Sequence, residues 1–397
     1  MALRDVRPSR GARLAGAAAA GATALAAGVP ALVALGALVP ALPVVSLAAH
    51  AAGYAGGLCL VAALGLAGAT ARWWARRTAL RAAVVVAAVA GLLGCAVVLD
   101  RLLDAARAAG VAVEALPRPD PVPAPDTTVA YTTQDGEPVE LSVWAPPGAD
   151  GDAPVAVWLH GGGWVSSSRQ APVGLAHLDH LRERGWVVAN VDYSLSDAAV
   201  HRWDAAEPQV ACALAWLAEH AGDLGGDTER LALMGASAGG NLALDVAYRA
   251  AAGTLEPSCG GRLPVPDAVV VTSPIADPVG FHDNPDLALG PLTRWMARAY
   301  TGGSPAEHPD RYRAISPATH ATPAAPPTLV VIPQHDQIVP PAGARAFADD
   351  ARAAGAEVEL VEVPQAAHVV DLPGSLGAQL VDALAVRWLT AHGAGPG

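Results

Sequence analysis

The sequence predicts an α/β domain with a mostly parallel, roughly eight-stranded sheet and helices on both faces, preceded by about three transmembrane helices. Three observations predict this. Residues 14–71 contain no Asp, Glu, Lys or Arg. From Thr127 onward, short β-branched or apolar runs alternate with helical segments. Between the two regions runs PRPDPVPAP, Pro117–Pro125, which can form neither a helix nor a central strand and reads as a stiff spacer. The expected division is a membrane region over 1–116, a Pro-rich linker over 117–126 and a catalytic domain over 127–393.

A bilayer crossing takes about 20 apolar residues, so residues 14–71 fit two crossings joined by a tight turn near Pro40–Pro43. A third apolar run, Ala82–Leu99, ends at Asp100. A cleaved secretory signal has one short apolar region and would leave the later runs unexplained. Arg4, Arg7, Arg10 and Arg13 precede the first crossing, and Arg72, Arg76, Arg77 and Arg81 separate the second from the third. Such flanks stay cytoplasmic, which requires an even number of crossings between them. A third crossing then puts everything after Asp100 outside, giving a multi-pass protein of the cell membrane with its catalytic domain extracytoplasmic. Trp73 and Trp74 suit the interfacial belt. Residues 100–116 keep a helical period, with Leu102, Leu103, Ala106, Ala109 and Val113 on one side.

Within the second region, Thr128–Thr133 and Val139–Trp144, split by Asp135-Gly136, read as an antiparallel hairpin. Strands are expected at Val155–His160, Trp186–Asp192, Leu231–Met234, Ala268–Thr272, Thr328–Ile332 and Val358–Val363. Helices are expected at Ala206–His220, Ala238–Ala252, Pro341–Ala354 and Leu376–Ala391. The segment Phe281–Thr301 fits neither pattern.

Composition excludes several kinds of chemistry. A net charge of −12 with no basic arm or stripe in the second region argues against a nucleic-acid partner. The chain has no lysine, which removes Schiff-base chemistry and a P-loop. Of four cysteines, Cys59 and Cys95 fall in apolar runs, leaving Cys212 and Cys259 in the expected exported domain. A bridge between them suits that compartment, but Cys212 on its helix reads as a free buried thiol.

Two motifs carry chemistry. Gly235-Ala-Ser-Ala-Gly239 sits between an expected strand and an expected helix. A serine on such a turn is held in a strained conformation with its Oγ exposed, and its small neighbours let strand and helix approach closely. Directly after another strand comes His160-Gly-Gly-Gly-Trp164, whose glycines allow backbone N–H groups close to a developing oxyanion. Gly162, Gly163 and Ala238 are the expected donors. The partners of Ser237 should follow in the order acid, then histidine, each on a loop after a late strand. Asp336 and His368 occupy such positions, whereas Asp371, His335 and the His177/His180 pair do not. His177 and His180 lack a third ligand at sensible spacing, so no metal and no cofactor are expected.

With these motifs stand VDYSL at Val191, ALAWLAEHA before GDTERLALMGASAGGNLAL, SPI at Ser273, ISPAT at Ile315, HDQIVP at His335 and AAH at Ala366. Over about Thr127–His392 the chain resembles the α/β-hydrolases of the hormone-sensitive-lipase-like and the feruloyl and acetyl-xylan esterase-like groups. The resemblance implies a carboxylesterase with Ser237 as nucleophile, His368 as base and Asp336 as orienting acid, acting on small-molecule or lipid esters. A peptidase, or an envelope acyltransferase or deacetylase, could use the same triad. The chain departs from the pattern where Ser166-Ser167-Ser168 follows HGGGW in place of the usual glycine, and at Pro333-Gln334-His335. Cap helices of the lipase-like kind could come only from residues 100–116.

Overall fold

The computed structural model describes residues 10–40, 47–75, 77–116, 121–148 and 151–396. Arg4, Arg7, Arg76 and the first part of the Pro-rich stretch lie outside the described residues.

The apolar N-terminal run folds as helices because a bilayer-length stretch of Ala, Leu and Val must satisfy its own backbone bonds. They are α1 (Arg10–Leu38), a 3₁₀ segment (Leu47–Tyr54) leading into α2 (Ala55–Ala75), and α3 (Ala79–Ala108), capped by the Thr78 hydroxyl. Three spans, Leu14–Leu38, Leu47–Ala75 and Ala79–Ala108, are long and apolar enough to cross a bilayer. Small residues let α1 and α3 pack closely. A Cβ at Gly91 would strike the backbone at Ala31, and one at Gly94 would strike the Cβ of Ala34. The two contacts keep one offset, so α1 and α3 run parallel. Residues 100–108 do not form a separate helix. They continue α3, and beyond Gly110 the chain is irregular to Leu116, laid on the Gln379 side chain through Glu114.

The sheet has eight strands, β1 (Thr127–Gln134), β2 (Glu137–Trp144), β3 (Ala153–Leu159), β4 (Val187–Val191), β5 (Gly226–Ala236), β6 (Ala268–Thr272), β7 (Thr328–Pro333) and β8 (Val358–Val363), in the order β1-β2-β4-β3-β5-β6-β7-β8. The β1/β2 and β2/β4 pairs are antiparallel and the rest parallel. β5 starts earlier than its apolar run, because Gly226 and Asp227 pair with Ala153 and Pro154 before the register shifts.

Alternation along the strands divides the core in two. Val155, Val157 and Leu159 face α5 (Ala206–His220), α6 (Ala238–Ala251) and α10 (Pro341–Ala353). Ala156 and Trp158 face α4 (Pro172–Arg182) and α11 (Leu376–Ala391). The outer end of the N-terminal bundle joins this second core through Ala37, Val98, Leu102 and Ala106. Between β6 and β7 lie α7 (Pro278–His282), α8 (Gly290–Thr301) and α9 (Pro309–Ala314), which account for the segment the sequence pattern left unassigned.

The expectation of a free thiol at Cys212 is corrected. Cys212 and Cys259 form a disulfide with Cα atoms 5.7 Å apart. The reason is the loop after α6, which lies along α5 with the Ser258 N–H donating to the Pro208 carbonyl.

Candidate active site

Ser237, Asp336, His368 and the glycine loop converge at the carboxyl ends of the parallel strands. Leu159 is level with Gly235, and Ala236 with Thr272, so the turns after β3, β5 and β6 meet there. Ser237 follows β5 with φ 55° and ψ −118°, a strained conformation held by its N–H bond to the Thr272 carbonyl and by the Asn241 N–H donating to its own carbonyl. Gly239 has no room for a side chain, since a Cβ would run into the carbonyl oxygens of Leu159 and His160.

The Ser237 hydroxyl lies 3.2 Å from His368 Nε2, and His368 Nδ1 lies 2.7 Å from Asp336 Oδ2. The other Asp336 oxygen accepts the N–H groups of Ile338 and Val339 at 2.9 and 2.8 Å, which fixes the carboxylate's orientation. Burial alone would hold His368 neutral. The charge and hydrogen bond of Asp336, together with the charge of Asp371, outweigh it and raise its pKa above the ordinary imidazole value.

The glycine loop flanks the same cavity of about 310 Å³, lined by Gly162, Gly163, Ser237, His368, Phe281 and Met296 among others. Gly162 and Gly163 have φ of 110° and 61°, and a Cβ on Gly162 would meet the Ser166 carbonyl. Among the described residues, no loop or cap backbone bond uses the N–H of Gly162, Gly163 or Ala238, and Gly162 and Gly163 line the cavity. Trp164 anchors the loop, stacked on Tyr300 at 4.5 Å and edge-on to Phe281 at 5.8 Å. The VDYSL stretch serves the same loop. Tyr193 stacks on His160 and donates to its carbonyl at 2.8 Å, while Asp192 accepts the Arg169 N–H at 2.6 Å.

Sequence reasoning did not assign the roles of Ser273, Phe281, Met296 and Asp371. Ser273, at φ 47°, donates through Oγ to the His368 carbonyl at 3.1 Å, so the SPI motif supports the base loop. Phe281 and Met296, from α7 and α8, wall the cavity from the segment Phe281–Thr301, whose fold the sequence did not place. Asp371, set aside in sequence because it does not end a strand, lines the cavity and faces His177 Nε2 at 3.3 Å, while His177 Nδ1 faces Asp382 at 2.5 Å. The i, i+3 histidines are thus part of an ion cluster beneath the site, His180 Nδ1 being 3.8 Å from Asp382. His335 lies on the acid loop but turns away from the cavity, toward the Ala37 carbonyl at the end of α1.

A hydroxyl, an imidazole and a carboxylate in series beside N–H donors can carry out acyl transfer. Residues 141–350 match the model of the BD-FAE family, a span that includes Ser237 and Asp336 and ends before His368. Esterase LipC of Mycobacterium tuberculosis is 33% identical over 224 residues, covering 55% of this chain and 54% of that protein. Esterase LipQ of the same organism is 29% identical over 269 residues, 66% of this chain and 62% of that protein. The chain therefore matches less than two thirds of either relative. Among solved structures, native esterase Est2 of Thermogutta terrifontis superposes with a TM-score of 0.57 at 25% identity, covering 70% of this chain and 95% of that one. LipW of Mycobacterium marinum superposes with a TM-score of 0.54 at 25% identity, covering 74% and 85%.

Proposed function

The chain belongs to the BD-FAE family and has the α/β-hydrolase fold, and from that premise we propose that it is a membrane-anchored serine hydrolase cleaving carboxylic esters. The observation that carries the reading is the series Ser237–His368–Asp336, at 3.2 and 2.7 Å, with Ser237 and His368 opening onto the cavity that the glycine loop lines. Ser237 Oγ attacks the ester carbonyl while His368 Nε2 takes its proton. Asp336 holds the imidazole through Nδ1–H and stabilises the imidazolium. The N–H groups of Gly162, Gly163 and Ala238 receive the oxyanion. His368 then protonates the leaving alcohol, and water repeats the sequence on the acyl-enzyme.

The names of the relatives, esterases throughout those cited, favour ester over amide substrates. Three apolar spans support the anchor. The Cys212–Cys259 bridge supports a catalytic domain on the oxidising, extracytoplasmic side.

Ser237→Ala and His368→Ala should each lower turnover of p-nitrophenyl acetate by several orders of magnitude, and the double variant should lose little more than either alone. A Ser237→Ala protein that keeps a substantial fraction of the wild-type rate refutes the assignment. Offering amides and acceptor alcohols to the same preparation separates an esterase from a peptidase or an acyltransferase.

A further inference from the structure

We propose that the segment beside the pocket mouth, the loop before α8 together with α8 itself, seats in the outer leaflet of the membrane holding the N-terminal helices, and that the ester enters the pocket from that leaflet as an acyl lipid. The chemistry in the pocket rests on the esterase reading above; the seating of the segment does not.

Height is the first argument. α1 and α3 run parallel, with Ala31 beside Gly91 and Ala34 beside Gly94, so Ala37 is level with Val97, just below Asp100, the first charge of α3 beyond its apolar run. That is the outer edge of the hydrocarbon layer. The acid loop stands on this edge, with the His335 ring against the Ala37 carbonyl and the His335 N–H donating to the Ala366 carbonyl. The base loop stands there too. Val370 packs with Ala49 and Ala52 in one core, and the Tyr54 hydroxyl donates to the Pro373 carbonyl at 2.8 Å.

Connection is the second. The Asn284 side chain donates to the carbonyls of Gln337 and Ile338, at 2.9 and 3.0 Å, tying the start of the segment to the acid loop a few residues from its contact with α1.

Composition is the third. Beyond the Pro-rich stretch, Val279, Leu287, Leu292 and Trp295 are exposed within one segment, whereas Val200 and Val265 are scattered elsewhere, and Leu287 is 83% exposed. α8 buries Thr293, Ala297 and Tyr300 and turns Leu292, Arg294, Trp295 and Arg298 outward. Leucine and tryptophan interleaved with arginine suit a helix lying in a headgroup layer. Met296 on the same helix lines the cavity, so the outward face and the pocket wall are neighbours. An acyl chain lying against the outer face of α8 is therefore separated by that helix from the cavity that Ser237 lines.

The test uses the full chain, with Cys59→Ala and Cys95→Ala, reconstituted into phosphatidylcholine–phosphatidylglycerol vesicles. Bimane on Leu292→Cys is compared with bimane on Val265→Cys, which precedes β6 at the opposite end of the strands. Doxyl-labelled lipid should quench the Leu292 label several-fold more strongly. In parallel, Leu287→Ser/Leu292→Ser/Trp295→Ser should lower hydrolysis of a vesicle-embedded diacylglycerol about tenfold, an interfacial loss of about 1.4 kcal/mol, and leave dissolved p-nitrophenyl acetate unaffected. Equal quenching at the two positions overturns the proposal, as does a proportionate loss on both substrates. Strong quenching at Leu292 in a protein that cleaves no ester overturns the esterase reading and leaves the seating intact.

Discussion

His177 is buried with a carboxylate on each ring nitrogen, and a neutral imidazole has only one N–H to offer. Burial alone would suppress the cation, but the charges and hydrogen bonds of Asp382 and Asp371 prevail and push its pKa up to about 10. Two carboxylates against one imidazolium leave a residual negative charge next to the triad. On the proposed mechanism His368 must be neutral to act as a base, and because its pKa is raised, the acid limb of kcat/KM should have its midpoint above the ordinary imidazole value of 6.5. Asp371→Asn removes one contributor to that rise and should move the limb to lower pH while leaving a substantial kcat. A pH–rate profile on a dissolved ester checks this, and an unmoved limb denies Asp371 any influence on the base. At this scale the sequence was legible where chain order constrains the partners, as for Asp336 and His368. It was silent about Asp371 and His177, which meet only because the loop after β8 folds back over α4.

Elements were readable where burial writes a strong pattern. The central strands are β-branched runs with both faces covered, and α5, α6, α10 and α11 follow with long apolar faces. The helices α4, α7, α8 and α9 are short, and their buried faces carry few large apolar side chains, so they leave only a weak apolar period in the sequence. The disulfide escaped for another reason, since the loop bearing Cys259 has no regular period and its path over α5 is set by tertiary contacts. Closing a loop of 47 residues stabilises by roughly 4 kcal/mol through the entropy of the unfolded chain. Cys259→Ser should lower the unfolding free energy by about that amount in denaturant titrations. Adding reductant to the wild type should produce the same shift, and no shift in either case would mean that the bridge does not constrain the unfolded chain.

For the whole molecule, the uncharged run over residues 14–71 and the later alternation of apolar runs with helical segments set an apolar front apart from an α/β remainder in the sequence. The contact between the two parts was not, because Ala37, Val98 and Leu102 look like any lipid-facing residues until the fold sets them against α11 and the base loop. The three-crossing reading makes a direct topological prediction. Alkaline phosphatase, active only after export, should be active when fused after Pro125, and green fluorescent protein at the same point should be dark. A silent phosphatase with a bright fluorescent fusion would put the domain in the cytoplasm and refute the count of crossings.

The packing of the bundle's outer end into the domain's second core has a consequence for how far this molecule can reach. A domain hung on a flexible leash explores a hemisphere, and its range grows with the leash. Here the bundle's outer end sits directly against α11, so on the membrane reading Ser237 stands at one fixed altitude above the lipid. Its search is then two-dimensional and its pace is set by lateral diffusion. Esters on polymers further out in the envelope can meet this serine only by being brought down to it.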